Sequence, residues 1–384
     1  MNTPRRATFL HASIPVTITA VLLLVASIQL KVTMHVPMII GTIAAALMAI
    51  SLGYPWKEIQ AMMVGGVQTI TAVLFILMLA GCLMGVWIIS GTVPAMIYYG
   101  LKILTPKTFL ALSFLLCAAV STSMGTAFGT TSTIGIAMMG IGQALGLPAP
   151  LVAGAIVSGV YFGDRLSPLG SALNLSSAVT ESDIYATMRH LVATTIPATI
   201  ICVVVYAIMG QRAASVGTVN QAGAYLDFLA AHFNLTPWLL LPPLLVVVLA
   251  ISRVPAIPSL ASGAVLGGIM AWVFQGASAA QIFSALHKGF VSNTGVEIMD
   301  KLLSRGGILG MADVLTLLMI SMAFSGILES TGALHALVKR PIELVRNVPQ
   351  VIGATALLST LIATIAANQS LALIVSGRLF KPMF

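Results

Sequence analysis

Charge is what this sequence has least of. Only 7% of its residues are Asp, Glu, Lys or Arg, against roughly 25% in ordinary soluble domains. That shortage excludes a water-soluble globular chain. A hydrophobic content of 58% over 384 residues and a mean hydropathy of +1.04 make it an integral membrane protein. Cysteine is also scarce. Cys82, Cys117 and Cys202 fall in apolar segments with no CxxC or metal-ligand spacing, which leaves them as small buried hydrophobes rather than a disulfide frame or zinc site. Sustained period-2 alternation is missing, which argues against a β-barrel. Walker loops, HExxH and Ser/His/Asp orders are missing too, so no enzyme constellation is legible and no cofactor is implied.

What is there in quantity is apolar runs near 20 residues, the length of a spanning helix. The fold class is therefore an all-α polytopic membrane protein, with about ten to twelve transmembrane helices, some discontinuous or re-entrant. The runs read as Ala12–Leu30, Met34–Tyr54, Val67–Ser90 and the shorter Val93–Leu104. A fifth begins at Phe109, dissolves over Ser121–Thr133 and resumes as Ile134–Leu145. Leu151–Phe162 follows, then a short surface helix Ile184–His190 and the span Leu191–Met209. Gln211–Thr236 is the most polar connector and reads as a loop between halves. Pro237–Ile251, Ala256–Phe274, Asp313–Leu328, Leu334–Val345 and Val351–Ala366 complete the helices.

The net charge of +8 belongs to loops and helix ends, where Lys and Arg set topology; no basic cluster is long enough for nucleic acid. Arg5, Arg6, Lys57, Lys102, Lys107, Arg165, Arg189 and Arg253 fall on one side through the first half, and only Lys31 and Arg212 on the other. This favours a cytoplasmic N-terminus. Lys339, Arg340 and Arg346 break that pattern in the second half.

An internal repeat is legible. Val73, Leu74, Met78, Gly85 and Gly91 recur as Val314, Leu315, Met319, Gly326 and Gly332. The glycine pairs share one offset, since 326 − 85 and 332 − 91 are both 241. Each copy leads to a short helix, a proline (Pro106, Pro349), an apolar helix and a polar interruption. The reading is a single transporter domain over 1–384, with a first repeat at 55–210 and an incomplete second at 277–384. Inverted repeats of this kind place a substrate near the midplane between broken helices.

The site candidates cluster between Ser121 and Asp183. Thr126, Thr130, Thr131, Ser132 and Thr133 crowd a glycine-rich stretch. Small residues in membrane helices most often serve packing, but hydroxyls this dense, with unwound carbonyls, suit a hard cation such as Na⁺. Asp164 is the sharpest candidate, because a carboxylate at membrane depth costs upwards of about 2.5 kcal/mol. Its bland alternative is a helix-end charge paired with Arg165. Ser167 and Asn174 add oxygens nearby, and Pro168 prevents a regular helix there. Burial favours the protonated carboxyl and a bound cation favours the ionised one, so Asp164 can take either H⁺ or Na⁺. Asp313 and Glu329 sit at the two ends of one apolar helix in the second half. Asp313 reads as a helix-start carboxylate, and Glu329 as functional or interfacial in equal measure. Ser171 is a further oxygen ligand candidate.

At SGTVPAMIYYGLKILTPKTF (Ser90–Phe109), at Gly125–Leu169 with its GDRLSPL, and at SGRLFKP (Ser376–Pro382), the sequence resembles the NhaC-type Na⁺/H⁺ antiporter family. The resemblance implies a bacterial inner-membrane secondary transporter with inverted repeats, coupling Na⁺ to H⁺. Some relatives exchange organic acids such as malate and lactate. By that resemblance Asp164, Ser167 and Asn174 are the Na⁺ ligands. Two departures stand out. The family usually continues Ser-Asp-Thr-Thr-Asn after its Ser-Pro-Leu, whereas here Gly170-Ser171-Ala172-Leu173-Asn174 follows. The family also continues past Phe384, so a C-terminal truncation is the expectation. The alternatives are an exchanger of small organic anions, and a truncated, non-transporting membrane protein. The partners expected are Na⁺, H⁺, small carboxylates and the bilayer, with a homodimer as one arrangement the sequence permits.

Overall fold

The computed structural model describes residues 5, 7–125, 127–167, 170–216, 221–252, 254–293, 300, 303–334, 336–337, 347–366 and 369–380. Helix dominates, and no strand occurs among the described residues. In lipid this follows from the backbone: an N–H or C=O with no water to bind must be satisfied within its own helix. Among the described residues six helices are long and apolar enough to cross a membrane. A seventh span arises if the pair Leu226–His232 and Pro237–Leu249, bent by 103°, is taken as one. The remaining apolar helices are shorter or broken, as the polar interruptions in the sequence require.

The chain divides into two compact units, each drawn from distant parts of the sequence. The first holds residues 1–74, 175–182 and 313–384. Its α1 (Phe9–Leu24) ends in a π-helical turn, Val25–Leu30, and returns as α2 (His35–Ser51). Gly41 has no room for a Cβ against Thr19, and this absence lets α1 and α2 close together. The amphipathic α3 (Trp56–Gln68) lies against the C-terminal region. Gly66 meets the Met322 carbonyl and the Gly326 Cα at a spacing no side chain would allow. A core of Ile59, Phe324, Ile327, Leu328, Leu358, Ile362 and Phe380 fills this unit.

The second unit holds residues 75–174 and 183–312. It contains most of α4 (Thr71–Ile89), then α5 (Thr92–Ile103), α6 (Pro106–Met124), the short α7 (Ala127–Thr130), a π-helical turn Thr131–Gly135, α8 (Ile136–Ala144) and α9 (Ala149–Leu166). Gly91, with φ +80, makes the corner between α4 and α5, where an L side chain would be strained. The Trp87 indole N–H donates to the Gly263 carbonyl at 3.1 Å. Gly81 and Gly85 receive the backbone of Gly307.

Three sequence expectations change here. Ile184–His190 is not a separate surface helix. After α10 (Ser171–Thr180), a single α11 runs from Ile184 to Val216. The Arg189-His190 pair and Pro197 fall inside it without ending it, since two polar side chains do not break a helix and one proline removes only one ladder bond. The connector 211–236 is largely helical, shared between the end of α11 and α12 (Gln221–His232). The fifth apolar run is not one broken span. It is a folded-back hairpin whose geometry sets the candidate site. The expected helix Leu334–Val345 lies mostly outside the described residues, as do Arg6, Arg253, Lys339, Arg340 and Arg346.

The remaining helices are α13 (Leu241–Ile251), led by a 3₁₀ turn Pro237–Leu240, then α14 (Ala256–Gln275) and α15 (Ala279–Lys288). They are followed by the short α16 (Gly307–Gly310), α17 (Ala312–Ser330), α18 (Val348–Ala366) and α19 (Gln369–Phe380).

Candidate functional site

The site is built from α6, the leg that returns from it, and α9. Gly125 ends α6 in the left-handed region, φ +65, a conformation that favours glycine. The chain then runs back along α6. Ser113 Oγ donates to Met138 Sδ at 3.6 Å, and Gly142 lies against the Phe109 ring. As the number falls on α6 it rises on α8, so the two legs are antiparallel. Continuing that register up the hairpin brings Thr130 to the level of Ser121. The π-helical turn Thr131–Gly135 loosens the ladder at that end, a device frequent at functional sites.

α9 then climbs beside α6 in the same direction. Gly159 lies on the Phe114 carbonyl and Gly163 on the Ala118 carbonyl. An ideal Cβ on Gly163 would stand 2.7 Å from the Thr122 nitrogen and from Ser121 Cβ. The spacing Gly159-xxx-Gly163 is the small-residue crossing by which membrane helices approach closely. It brings Asp164 to the end of the hairpin, at the level of Ser121 and Thr130.

Asp164 is buried, with 5% of its surface exposed, and its Oδ1 has no hydrogen-bond partner among the described residues. The bland alternative required an ion pair with Arg165, and no such pair occurs among the described residues. An ionised carboxylate with a buried, unsatisfied oxygen is costly in this setting. It calls for a proton or a cation. The helix ends directly after it: Ser167 has extended backbone and no exposed surface. Gly170 folds against the Asp164 carbonyl, where a Cβ has no room. Its N–H donates to the Ser167 carbonyl at 2.9 Å.

The other predicted residues divide as follows. Thr130 is fully buried in α7. Thr131 donates its hydroxyl to the Ala127 carbonyl at 2.8 Å, which leaves its oxygen lone pairs free to accept. Asn174 turns its amide back on the Gly170 carbonyl, 2.8 Å away, and so braces the start of α10. Thr126 lies outside the described residues, as do the side chains of Ser132, Thr133 and Ser171. Asp313 and Glu329 belong to the other unit and are exposed at opposite ends of α17. Asp313 starts that helix, where a negative charge suits the dipole. Its Oδ1 lies 3.5 Å from His35 Nε2, and its backbone carbonyl 2.9 Å from the same nitrogen.

Sequence reasoning missed Ser121, which donates to the Val160 carbonyl across the α6–α9 crossing at 2.6 Å. It also missed the partnership of His35 with Asp313. The glycine pair at 159 and 163 was a readable signal for the first; nothing local signalled the second.

Comparison with known proteins adds the decisive observation. A profile described as the Na⁺/H⁺ antiporter family matches residues 159–384, beginning at the first crossing glycine and taking in Asp164. The chain belongs to the NhaC-type Na⁺/H⁺ antiporter family. Among its relatives is the Na⁺/H⁺ antiporter NhaC of Alkalihalophilus pseudofirmus, 35% identical over 92% of this chain and 77% of the relative. The malate-2H⁺/Na⁺-lactate antiporter of Bacillus subtilis is 38% identical over 81% of this chain and 67% of the relative. The arginine/ornithine antiporter ArcD of Halobacterium salinarum is 32% identical over 99% of this chain and 79% of the relative. As a member of this antiporter family the chain is a multi-pass membrane transporter. The named substrates of its relatives span inorganic cations, carboxylates and amino acids.

Proposed function

We propose that this chain exchanges Na⁺ for H⁺ across a bacterial inner membrane, with Asp164 as the group that carries one or the other. The observation behind the reading is the buried Asp164 Oδ1 with no partner among the described residues. A carboxylate in that position is held neutral by a proton or by a bound cation, and the two compete for one pair of oxygens. Exchange follows from that competition if the site faces each side in turn. Thr130, Ser167 and the carbonyls freed at the end of α9 are oxygen donors at the same level, the donor class a hard monovalent cation takes. Thr126, Ser132, Thr133, Ser171 and Asn174 remain candidate ligands of the same kind. Two relatives that carry the name Na⁺/H⁺ antiporter support the assignment.

The test uses everted membrane vesicles with a fluorescent ΔpH probe. Addition of Na⁺ restores fluorescence if the chain exchanges the two ions. A preparation with the chain present and no Na⁺-dependent recovery refutes the reading.

A second reading has its own observation. Where the family usually places an acidic residue, second after Ser-Pro-Leu, this chain has Ser171, the first residue of α10, and Gly170 just ahead of it folds on the end of α9. The start of a helix favours an anion, and one relative is named for malate and lactate exchange. Counterflow of labelled malate or lactate in proteoliposomes separates this reading from the first.

We also read 55–210 and 277–384 as two copies of one repeat. α4 and α17 each have 19 residues, and their starts, 71 and 312, are 241 apart. Adding 241 to Gly66, Gly81 and Gly85 gives Gly307, Met322 and Gly326. Gly66 meets Met322 and Gly326 in one unit, and Gly307 meets Gly81 and Gly85 in the other. The two crossings are reciprocal, which supports a duplicated origin.

A further inference from the structure

The hydroxyl of Ser121 makes an interhelical bond beside the carboxylate. It lies on α6, has no exposed surface, and donates across 39 residues of sequence to the Val160 carbonyl at 2.6 Å. In an α-helix that carbonyl is the one that accepts from the N–H of residue 164. Ser121 therefore holds the peptide group at the other end of Asp164's own ladder bond. Flanking it, Gly159 and Gly163 bring the α9 backbone onto the carbonyls of Phe114 and Ala118. The glycines allow the approach but do not direct it, because van der Waals contact between backbones permits sliding and rolling. A short hydrogen bond to one named carbonyl fixes both the register and the rotation of α9. Rotation is what aims a side chain: one residue on a helix is about 100° of arc. The hairpin leg opposite Ser121 carries Thr130.

We propose that Ser121 is a positioning residue for the ion site, fixing the rotation of α9 so that the Asp164 carboxylate faces the hydroxyl-bearing leg of the hairpin. This rests on the reading of Asp164 as the Na⁺/H⁺ carrier. Ser121 touches neither ion in this account; it acts through Val160 and Asp164. The chemistry favours serine here. Alanine keeps the close crossing but leaves α9 free to roll, whereas threonine keeps the donor.

The experiment measures the Na⁺ concentration for half-maximal exchange, and the maximal rate, for the whole chain in everted vesicles. The variants are Ser121→Ala, Ser121→Thr and Asp164→Asn. ²²Na⁺ binding and thermal unfolding of the purified protein in detergent are measured in parallel. For Ser121→Ala the half-saturating Na⁺ concentration is expected to rise about three- to tenfold, the range a single neutral hydrogen bond sets. Its maximal rate should stay within about twofold and its unfolding midpoint close to that of the parent. Ser121→Thr should recover at least half of the lost affinity.

Unchanged Na⁺ affinity in Ser121→Ala, with the parent chain active, overturns this inference and leaves the antiport reading standing. A fall in unfolding midpoint and rate with affinity intact also overturns it, since that is plain packing. A parent chain that neither binds ²²Na⁺ nor exchanges it overturns both.

Discussion

Among the described residues two helical hairpins share one build, and only one of them has a buried carboxylate packed beside it. In the second unit α6 folds back into α7 and α8; in the first, α18 folds back into α19. Their starts match, since 348 − 106 and 369 − 127 are both 242. Their pairing matches as well. Ser359 donates to Ser376 at 2.8 Å, and subtracting 242 from each gives Cys117 and Ile134, which continue the register set by Ser113 with Met138. The difference lies in what packs on the returning leg. Gly135 meets Ile156 of α9, the helix that carries the buried Asp164 near its end, while Gly377 meets Val179 near the end of α10, where the acids that follow, Glu181 and Asp183, are exposed. A fold-back supplies hydroxyls and broken backbone, but the ionisable group comes from the helix laid beside it. The hairpin is the scaffold of a site and not the site.

Four substitutions sharpen or break that contrast. The largest effect belongs to Asp164→Asn. It removes the buried carboxylate beside the first hairpin, so Na⁺-dependent recovery in the vesicle assay should fall to background while the protein still reaches the membrane; wild-type exchange would end the assignment. Next comes Gly163→Ala. The new methyl has nowhere to go between the Ala118 carbonyl and the Thr122 nitrogen, and overpacking of this kind costs about 1–3 kcal/mol. A clear drop in unfolding midpoint in detergent is expected, and an unchanged midpoint would mean that α6 and α9 do not cross there. Gly353→Ala probes the other hairpin, where the same change meets open space. Here the expectation reverses to a gain of up to about 1 kcal/mol from helix propensity, read as a raised midpoint. The smallest effect is that of Asp313→Asn. Its carboxylate is 78% exposed beside His35, and surface pairs are worth about 0–1 kcal/mol. Transport should be unaffected, and a large loss of exchange would move Asp313 from helix cap to ion path.

The contrast also explains what the sequence could disclose. Asp164 was legible because a lone acid in an apolar context is conspicuous whatever the fold around it. The membrane helices were legible for the reciprocal reason. The fold-back at Gly125 was not, since a run of glycine and hydroxyl residues is equally consistent with local unwinding and with a turn, and only contacts such as Phe109 with Gly142 separate the two. The Ser121–Val160 bond and the His35–Asp313 pair join residues 39 and 278 apart, and no local pattern reports such pairings. The continuity of α11 through Arg189-His190 is not legible either, since a polar pair ahead of an apolar run looks the same whether a helix begins there or passes through.

That long helix has a practical consequence. Thirty-three residues at 1.5 Å each make a rod of about 50 Å, against a hydrocarbon layer of roughly 30 Å. Unless steeply tilted, it extends well past the acyl chains. It is also braced toward its C-terminal end, by Tyr206 against Ser158 at 2.9 Å and by Gly210 seated on the Lys107 carbonyl. A small, detergent-embedded transporter offers electron microscopy few features to align on. A helical protein fused in phase with the protruding end of α11 would turn with the body as one piece, and would give particle images the fiducial mark they need.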